Sequence, residues 1–367
     1  ELKRDIYALA GGEFNVNSPQ QLADILFRKL GLKSGRKNRR GYSTNVEVLS
    51  ELEDEHAIVP LILRYREIAK LRSTYALGML PLVDENDKLH TVFRQAATST
   101  GRLSSTEPNL QNIPVRKAEG ALIRKLFIAS PGNVLVTADY SQIELRLMAH
   151  FSGDGAMCAA FNAGTDIHTV TAAKVFRVPE YMVTPEMRRH AKAVNFGIIY
   201  GISEYGLAKD LGISRARARE FIEGYFATYP GVKKYMNEAI ETAKEKGYVQ
   251  TLFGRRREVP ELKAANANQR AFGERVALNM PLQGTASDII KLAMLNAAAK
   301  LKEGGYASRL IMQVHDELII DAVPEEAEQM KKLLRDSMEN VVQLKVKLEK
   351  NRKIFYDKFF GFKYIST

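Results

Sequence analysis

The sequence has a single cysteine, Cys158, among its 367 residues, and no tryptophan. One thiol forms no disulfide within the chain and leaves no cysteine cluster to hold zinc, so a disulfide-stapled secreted scaffold is excluded and a reducing, cytoplasmic setting is expected. Nowhere does an apolar run approach the ~18 residues that a membrane-crossing helix needs. The start, Glu1 to Asp5, carries no signal-peptide core, so a soluble protein without a membrane partner is expected. Internal repeats and low-complexity linkers are missing too. Acid is in deficit: 43 Asp and Glu stand against 54 Lys and Arg, a net charge of +11, while 45% of residues are hydrophobic and 26% charged. That balance excludes a disordered chain. The length excludes a mini-protein, since at roughly 150 residues per domain there is room for two or three cores. A basic surplus on an ordinary core points to a polyanion, either nucleic acid or an acidic membrane face, or else to a basic enzyme that binds neither.

Helical spacing runs through Leu22, Ile25, Leu26 and Leu30 and is stopped by Gly31; residues 58–71 give a second helix. Between them the loop 33–40, with Arg36 and Arg39, is basic throughout and reads either as a solvated face or as a set of phosphate contacts. β-type runs over 89–93 and 134–137 bracket the polar segment 98–114, too polar for a core and too long for a turn, hence a functional loop. Residues 141–300 return to helix, interrupted by a hairpin over 248–259 with an arginine-rich tip. Two more β-type runs, 309–314 and 318–323, are joined through His315, Asp316 and Glu317. This order predicts an α+β protein whose sheet is assembled from distant segments.

The 134–139 run passes directly into Asp139, after which Ile143, Leu147 and Phe151 take helical spacing. A carboxylate at such a junction is held rigidly by the strand while its oxygens stay accessible. At the second site, Asp316 alone reads as a hairpin tip, but three consecutive ionisable residues between β-branched runs argue against a simple turn. Asp139 and Asp316 are 177 positions apart. If their strands are neighbours, they hold a pair of divalent cations about 4 Å apart, the arrangement of phosphoryl transfer or of a nuclease.

Thr184 and Pro185 make a helix start, and Arg188, Lys192, Phe196 and Tyr200 follow every four residues. They share one face, with a drift of about 40° per step. Cations come first and rings follow. This order fits a nucleoside triphosphate laid along the helix, phosphates toward the positive end of the dipole, or else an amphipathic helix with its rings in the core.

The runs Asp139-Tyr-Ser-Gln-Ile-Glu-Leu-Arg146, Arg188-Arg-His-Ala-Lys-Ala-Val-Asn-Phe-Gly-Ile-Ile-Tyr-Gly201 and Gln313-Val-His-Asp-Glu317 closely resemble the three motifs of family A DNA polymerases, the bacterial DNA polymerase I type. The resemblance extends through Thr100–Ser105, Asn109–Pro114, Asp166–His168, Thr251–Arg256 and Asn279–Thr285, and covers nearly all of residues 1–344. It implies a right-hand fold: a partial thumb over 1–80, the first part of the palm over 81–152, fingers over 153–275, and the rest of the palm with an atypical tail over 276–367. It implies a template-directed DNA polymerase acting as a monomer on primer-template DNA and dNTPs with two Mg2+ ions, or Mn2+ in their stead. Asp139, Asp316 and the Tyr140 carbonyl would be metal ligands, and Glu317 an accessory acid. Arg188, Lys192 and His168 would hold the triphosphate, with Lys192 able to protonate the leaving pyrophosphate. Phe196 would abut the sugar and Tyr200 the templating position, with Gln142 beside the nucleotide. Glu144 resembles the steric gate that excludes a 2′-hydroxyl. Arg102, Asn109, Asn112, Arg275, Asn279, Gln283 and His315 would meet primer, template or the nascent pair, where minor-groove acceptors are nearly sequence-independent. Lys70, Arg72, Arg36 and Arg39 would grip phosphates.

The sequence departs from the family's pattern at both ends. It begins inside a thumb helix, with nothing resembling a proofreading site. It finishes in a basic, aromatic stretch over 345–367 where the family has a Gly and Trp pattern; this stretch either covers nucleic acid or simply packs. The competing expectations are a single-subunit RNA polymerase, which Glu144 argues against, and a catalytically silent nucleic-acid-binding fragment, which Asp139 and Asp316 argue against.

Overall fold

A computed structural model describes residues 1–33, 37–38, 41–114, 118–349 and 355–357. The chain forms two compact units, residues 1–90 and 91–367. In the first, the helices Leu2–Ala10, Val46–Glu51 and Ile58–Lys70 enclose Ile6, Leu22, Leu26, Leu49, Ile58 and Ile62. The helix expected around Leu22 divides into Pro19–Ala23, capped by the Ser18 hydroxyl, and a wider π-type coil, Asp24–Lys29. Lys70 ends one helix of this unit and Arg72 lies in the following coil, Leu71–Ala76. Arg36 and Arg39 lie outside the described residues.

The second unit is built on a four-stranded antiparallel sheet of β1 (Val134–Asp139), β2 (Arg309–Val314), β3 (Glu317–Ala322) and β4 (Phe355–Asp357), in the order β4-β1-β3-β2. Residues 134–138 of β1 are all buried, as a strand covered on both faces requires, and its acid stands where the core ends. The second unit's helices include α1 (Ile143–Ser152), α2 (Ile167–Phe176), α3 (Pro185–Ile199), the 37-residue α4 (Ala267–Glu303) and α5 (Ala327–Glu339); α4 and α5 pack on the sheet, α1 packs on α4 and α3, and α2 and α3 pack on each other. Thr184 caps α3 by accepting from the Met187 N–H, with Pro185 in the first turn, as the sequence predicts. Among the described residues no helix is long and apolar enough to cross a membrane.

Two expectations are corrected. His315 and Asp316 form a two-residue hairpin turn, closed by pairing of Val314 with Glu317; Glu317 already belongs to β3. The run of ionisable residues is therefore a turn after all, made by forcing His315 to a φ of 57°. A non-glycine residue in the left-handed region costs about 1 kcal/mol or more, and such outliers gather at functional sites. The second correction concerns the hairpin of Tyr248–Gln250 with Arg256–Glu258. Arg255 does not project from its tip but turns inward to Asp288, 2.7 Å away. There it lies so close to Gly101 that a Cβ on Gly101 would stand 2.5 Å from the Arg255 Nε.

The described part of the C-terminal stretch packs. Val346 and Leu348 are buried, the Glu349 carbonyl accepts from the Ser141 N–H, and β4 pairs with β1 through Phe355 opposite Thr137.

Candidate active site

Antiparallel pairing of β1 with β3 sets Asp139 opposite Glu317. The turn before β3 is tied to the end of β1 by the Tyr140 N–H donating to the Asp316 carbonyl at 3.1 Å. Asp139 at the end of β1 and Asp316 in the turn before β3, far apart in the sequence, are thus brought together by the backbone pairing, and both open onto one cleft of about 460 Å3, which Glu317 does not line. Tyr140 also lines it. Its ring is sealed in the core, the hydroxyl donating to the Met338 carbonyl at 2.7 Å, so Tyr140 meets the cleft through its backbone. Burial raises the phenol well above its ordinary range, leaving it a neutral structural donor.

The opposite wall comes from α2 and α3. Arg188, Lys192, Phe196 and Tyr200 all line the cleft, so the four-residue spacing does face one surface. Arg188 Nε donates to Asp166 Oδ2 at 2.6 Å. Asp166 also caps α2 by accepting from the His168 N–H. Burial pushes the Asp166 carboxyl up, but the hydrogen bonds from Arg188 and Thr169 and the guanidinium charge outweigh it and hold it below its usual value.

His168 lines the cleft at only 2% exposure. Burial, with Arg188 and Lys192 nearby, pushes its pKa down to about 4, against the opposing pull of Asp166. The unfolded chain, titrating near 6.5, takes up this proton first as pH falls. The stability that neutral His168 contributes is whole above about pH 6.5 and is lost as pH falls toward 4, by about 3 kcal/mol. Urea unfolding at pH 7 and pH 4.5 is expected to show a smaller acid loss in His168→Gln than in the native chain; equal losses would remove His168 as the cause.

Glu144, in the first turn of α1, is buried at 7% exposure. Arg102 Nη2 donates to its Oε1 at 3.0 Å and the Tyr200 hydroxyl donates to its Oε2. Gln283 reaches the same hydroxyl, and burial together with the Glu144 charge raises the Tyr200 phenol. Glu144 is therefore no solvated surface acid but is clamped at the cleft wall. Gln142, which precedes α1, takes a left-handed φ of 52° and lines the cleft, as do Arg102 and His315.

Several expected residues do not line this cleft. Arg275, Asn279 and Gln283 share one face of α4, four residues apart; Gly201 packs on Arg275, and Asn279 Oδ1 is buried without a hydrogen-bond partner among the described residues. Asn109 caps a short turn by accepting from the Gln111 N–H, and Asn112 ends that turn. Sequence reasoning passed over their neighbour Gln111, whose amide donates to the carbonyl and the side-chain oxygen of Gln313. Gln313 in turn donates to the His315 carbonyl at 2.6 Å, bracing the strained turn. It also missed Asp166 and Ser287. The cap position of Asp166 and the continuation of the 275, 279, 283 spacing to 287 were the available signals. Ser287 lines the cleft with its Oγ buried and, among the described residues, without a hydrogen-bond partner.

Among the described residues no three or more His, Cys, Asp or Glu side chains gather to hold a metal by protein groups alone. Two carboxylates and a backbone carbonyl, all hard oxygen donors beside a cationic wall, have the chemistry to hold a hard divalent cation.

Comparison with known proteins gives a consistent result. Residues 1–355 match the family described as DNA polymerase family A. The chain is 54% identical to the DNA polymerase I of Bacillus caldotenax over 351 residues, and 52% identical to that of Caldicellulosiruptor bescii over 349. Each match covers 95% of this chain but only 40% and 41% of the relative, so the chain spans about two fifths of their length. Its structure resembles the POL domain of Pol1 from M. smegmatis, solved in complex with DNA primer-template and dNTP. The TM-score is 0.92 at 41% identity, covering 98% of this chain and 63% of that one.

Proposed function

This chain belongs to DNA polymerase family A, and on that premise we propose that it is a template-directed DNA polymerase module, extending a primer 3′ end with dNTPs by two-metal-ion nucleotidyl transfer. We assign residues 1–80 to the thumb, 81–152 and 276–367 to the palm and 153–275 to the fingers, in a monomer working on primer-template DNA in the cytoplasm. The observation that carries the reading is the single cleft shared by two palm carboxylates and a helix whose cations precede its rings. Asp139, Asp316 and the Tyr140 carbonyl would hold two Mg2+ ions, with Glu317 as an accessory acid. Such ions would supply activation of the primer 3′-oxygen and charge stabilisation for the departing pyrophosphate. Lys192 and Arg188 bind the triphosphate, Arg188 already steered by Asp166, and Lys192 is the acid that protonates pyrophosphate. Phe196 and Gln142 border the sugar. Arg102, Asn109, Asn112, Arg275, Asn279, Gln283 and His315 contact primer, template or the nascent pair, and Lys70, Arg72, Arg36 and Arg39 the duplex backbone.

Glu144 favours DNA over RNA synthesis. Held by Arg102 and Tyr200, it cannot swing aside to admit a 2′-hydroxyl. Primer extension with dNTPs and rNTPs tests both points. The native chain is expected to extend with dNTPs only, and Glu144→Ala to improve ribonucleotide use by roughly 100-fold, the order of one buried steric and polar conflict. Efficient rNTP use by the native chain would make it an RNA polymerase, and unchanged sugar selection in the variant would remove Glu144 as the gate.

A further inference from the structure

The loop 98–102, which carries Arg102, lies on its support through two glycines. Its turn is closed by the Gly101 N–H donating to the Thr98 carbonyl at 3.2 Å and by the Thr98 hydroxyl donating to the Arg102 carbonyl at 2.7 Å. Gly101 takes a left-handed φ of 79° and meets the Arg255 guanidinium, where a Cβ would stand 2.7 Å from Cζ. Beside it, a Cβ on Gly284 of α4 would stand 2.5 Å from the Thr251 methyl and 3.3 Å from the Thr100 carbonyl oxygen. The missing side chains let the loop backbone settle directly on Arg255 and next to α4.

Arg255 is itself held by an acid of α4. Asp288, 8% exposed, accepts from Arg255 Nε at 3.0 Å and Nη2 at 2.7 Å on Oδ1, and from the Thr251 hydroxyl at 2.8 Å on Oδ2. Thr251 thereby gives its one hydroxyl proton to Asp288 and accepts on the same oxygen from the Phe253 and Arg255 N–H groups, at 3.3 and 3.2 Å. The guanidinium is thus fixed between Asp288 and Gly101. On the other side of the loop, Arg102 Nη2 donates to Glu144 Oε1 at 3.0 Å. Neither Arg255 nor Asp288 lines the cleft, so any influence on it passes through Arg102.

We propose that Arg255, held by Asp288, is a positioning residue that supports the Arg102 loop at the height where Arg102 meets Glu144, and so sets how firmly the cleft excludes a 2′-hydroxyl. The sugar half rests on the function proposed above. Lysine would not substitute: an ammonium can pair with Asp288, but it offers a point charge in place of the planar fork that fills the space under Gly101.

The test begins with guanidinium 15N NMR of the full chain labelled in arginine, with Arg102 and Arg255 assigned by their loss in Arg102→Lys and Arg255→Lys. Hindered rotation about the Cζ–Nη bonds of both is expected in the native chain; free rotation of either overturns the proposal without any variant. In folded Arg255→Lys, and in the nearly isosteric Asp288→Asn, Arg102 is expected to rotate freely, and a hindered Arg102 in both overturns it. Primer extension under dNTP and rNTP competition then reads the consequence. Arg255→Lys is expected to lower sugar discrimination roughly tenfold, less than Glu144→Ala because Tyr200 still holds the acid. In an Arg102→Ala background the same substitution should change discrimination by less than about twofold, the non-additivity of residues that act in series. A merely structural role would slow both nucleotides alike and leave their ratio unmoved. Unchanged discrimination in Arg255→Lys, or a tenfold loss that persists without Arg102, overturns the proposal. The NMR readouts do not depend on turnover: a native chain with both guanidinium groups hindered that extends no primer refutes the polymerase reading and leaves the support of Arg102 standing.

Discussion

Asp316→Asn is expected to lower the rate of nucleotide addition by roughly 10^3-fold or more, the several kcal/mol that metal-assisted charge stabilisation contributes to phosphoryl transfer, while duplex binding stays within about twofold of the native value. The substitution is nearly isosteric, and the turn should survive it. The bond that ties Asp316 to β1 uses its backbone carbonyl, accepting from the Tyr140 N–H, and the bracing by Gln111 and Gln313 reaches the His315 carbonyl. What changes is the charge of the side chain proposed as a ligand, and with it the affinity expected for a hard cation. Single-turnover extension with a fluorescent primer-template, alongside equilibrium binding of the same duplex, separates the two effects. A variant that adds nucleotides normally, or one that loses folding and duplex binding together, would make Asp316 a structural acid.

The largest expected effect on stability is that of Arg146→Ala. Its guanidinium is 5% exposed and donates in three directions: Nε to the Ser141 carbonyl at 2.9 Å, Nη1 to the Lys347 carbonyl at 2.5 Å and Nη2 to Glu349 at 2.8 Å. It also lies over the Phe161 ring, 4.7 Å from the centroid. Truncation strands two carbonyls and undoes the clasp between the loop after Asp139 and the C-terminal segment. The expected loss is about 3 kcal/mol in urea unfolding, the scale for breaking a largely buried charged network. Arg146→Lys should recover only part of it, because an ammonium cannot match the planar fork. A loss below about 1 kcal/mol would mean that residues 345–349 are held without Arg146, by the burial of Val346 and Leu348 and by the backbone bonds of Lys345, Lys347 and Glu349 to His150, Asn162 and Ser141.

Much of this architecture was legible in the residues. The strand entering Asp139, the capped start of α3 and the spacing of Arg188, Lys192, Phe196 and Tyr200 depend on local periodicity and capping, which act over a few positions. The left-handed turn at His315 was not legible, because no residue there announces positive φ. Glycine or asparagine would have; histidine is held in place by Gln313, and through it by Gln111, roughly 200 positions away. The inward turn of Arg255 escaped for the same reason. A basic hairpin tip reads as solvated until Asp288, one helix later, is known to lie beneath it. Glu144 occupies the middle ground: its position on α1 was evident, but its burial and double clamp depend on Arg102 and Tyr200, which only the tertiary fold brings near.

The sheet order carries a consequence for biosynthesis. β1 is flanked by β4 and β3, both supplied from beyond residue 316, so among the described strands the one bearing Asp139 has no partner until residues 317–322 have been made. The helices of 143–303 form from local contacts; the sheet must wait for loop closure over almost 180 residues, a slow, high-contact-order step. A ribosome-bound chain halted before Glu317 should therefore carry α3 while β1 remains an exposed apolar strand, open to proteases.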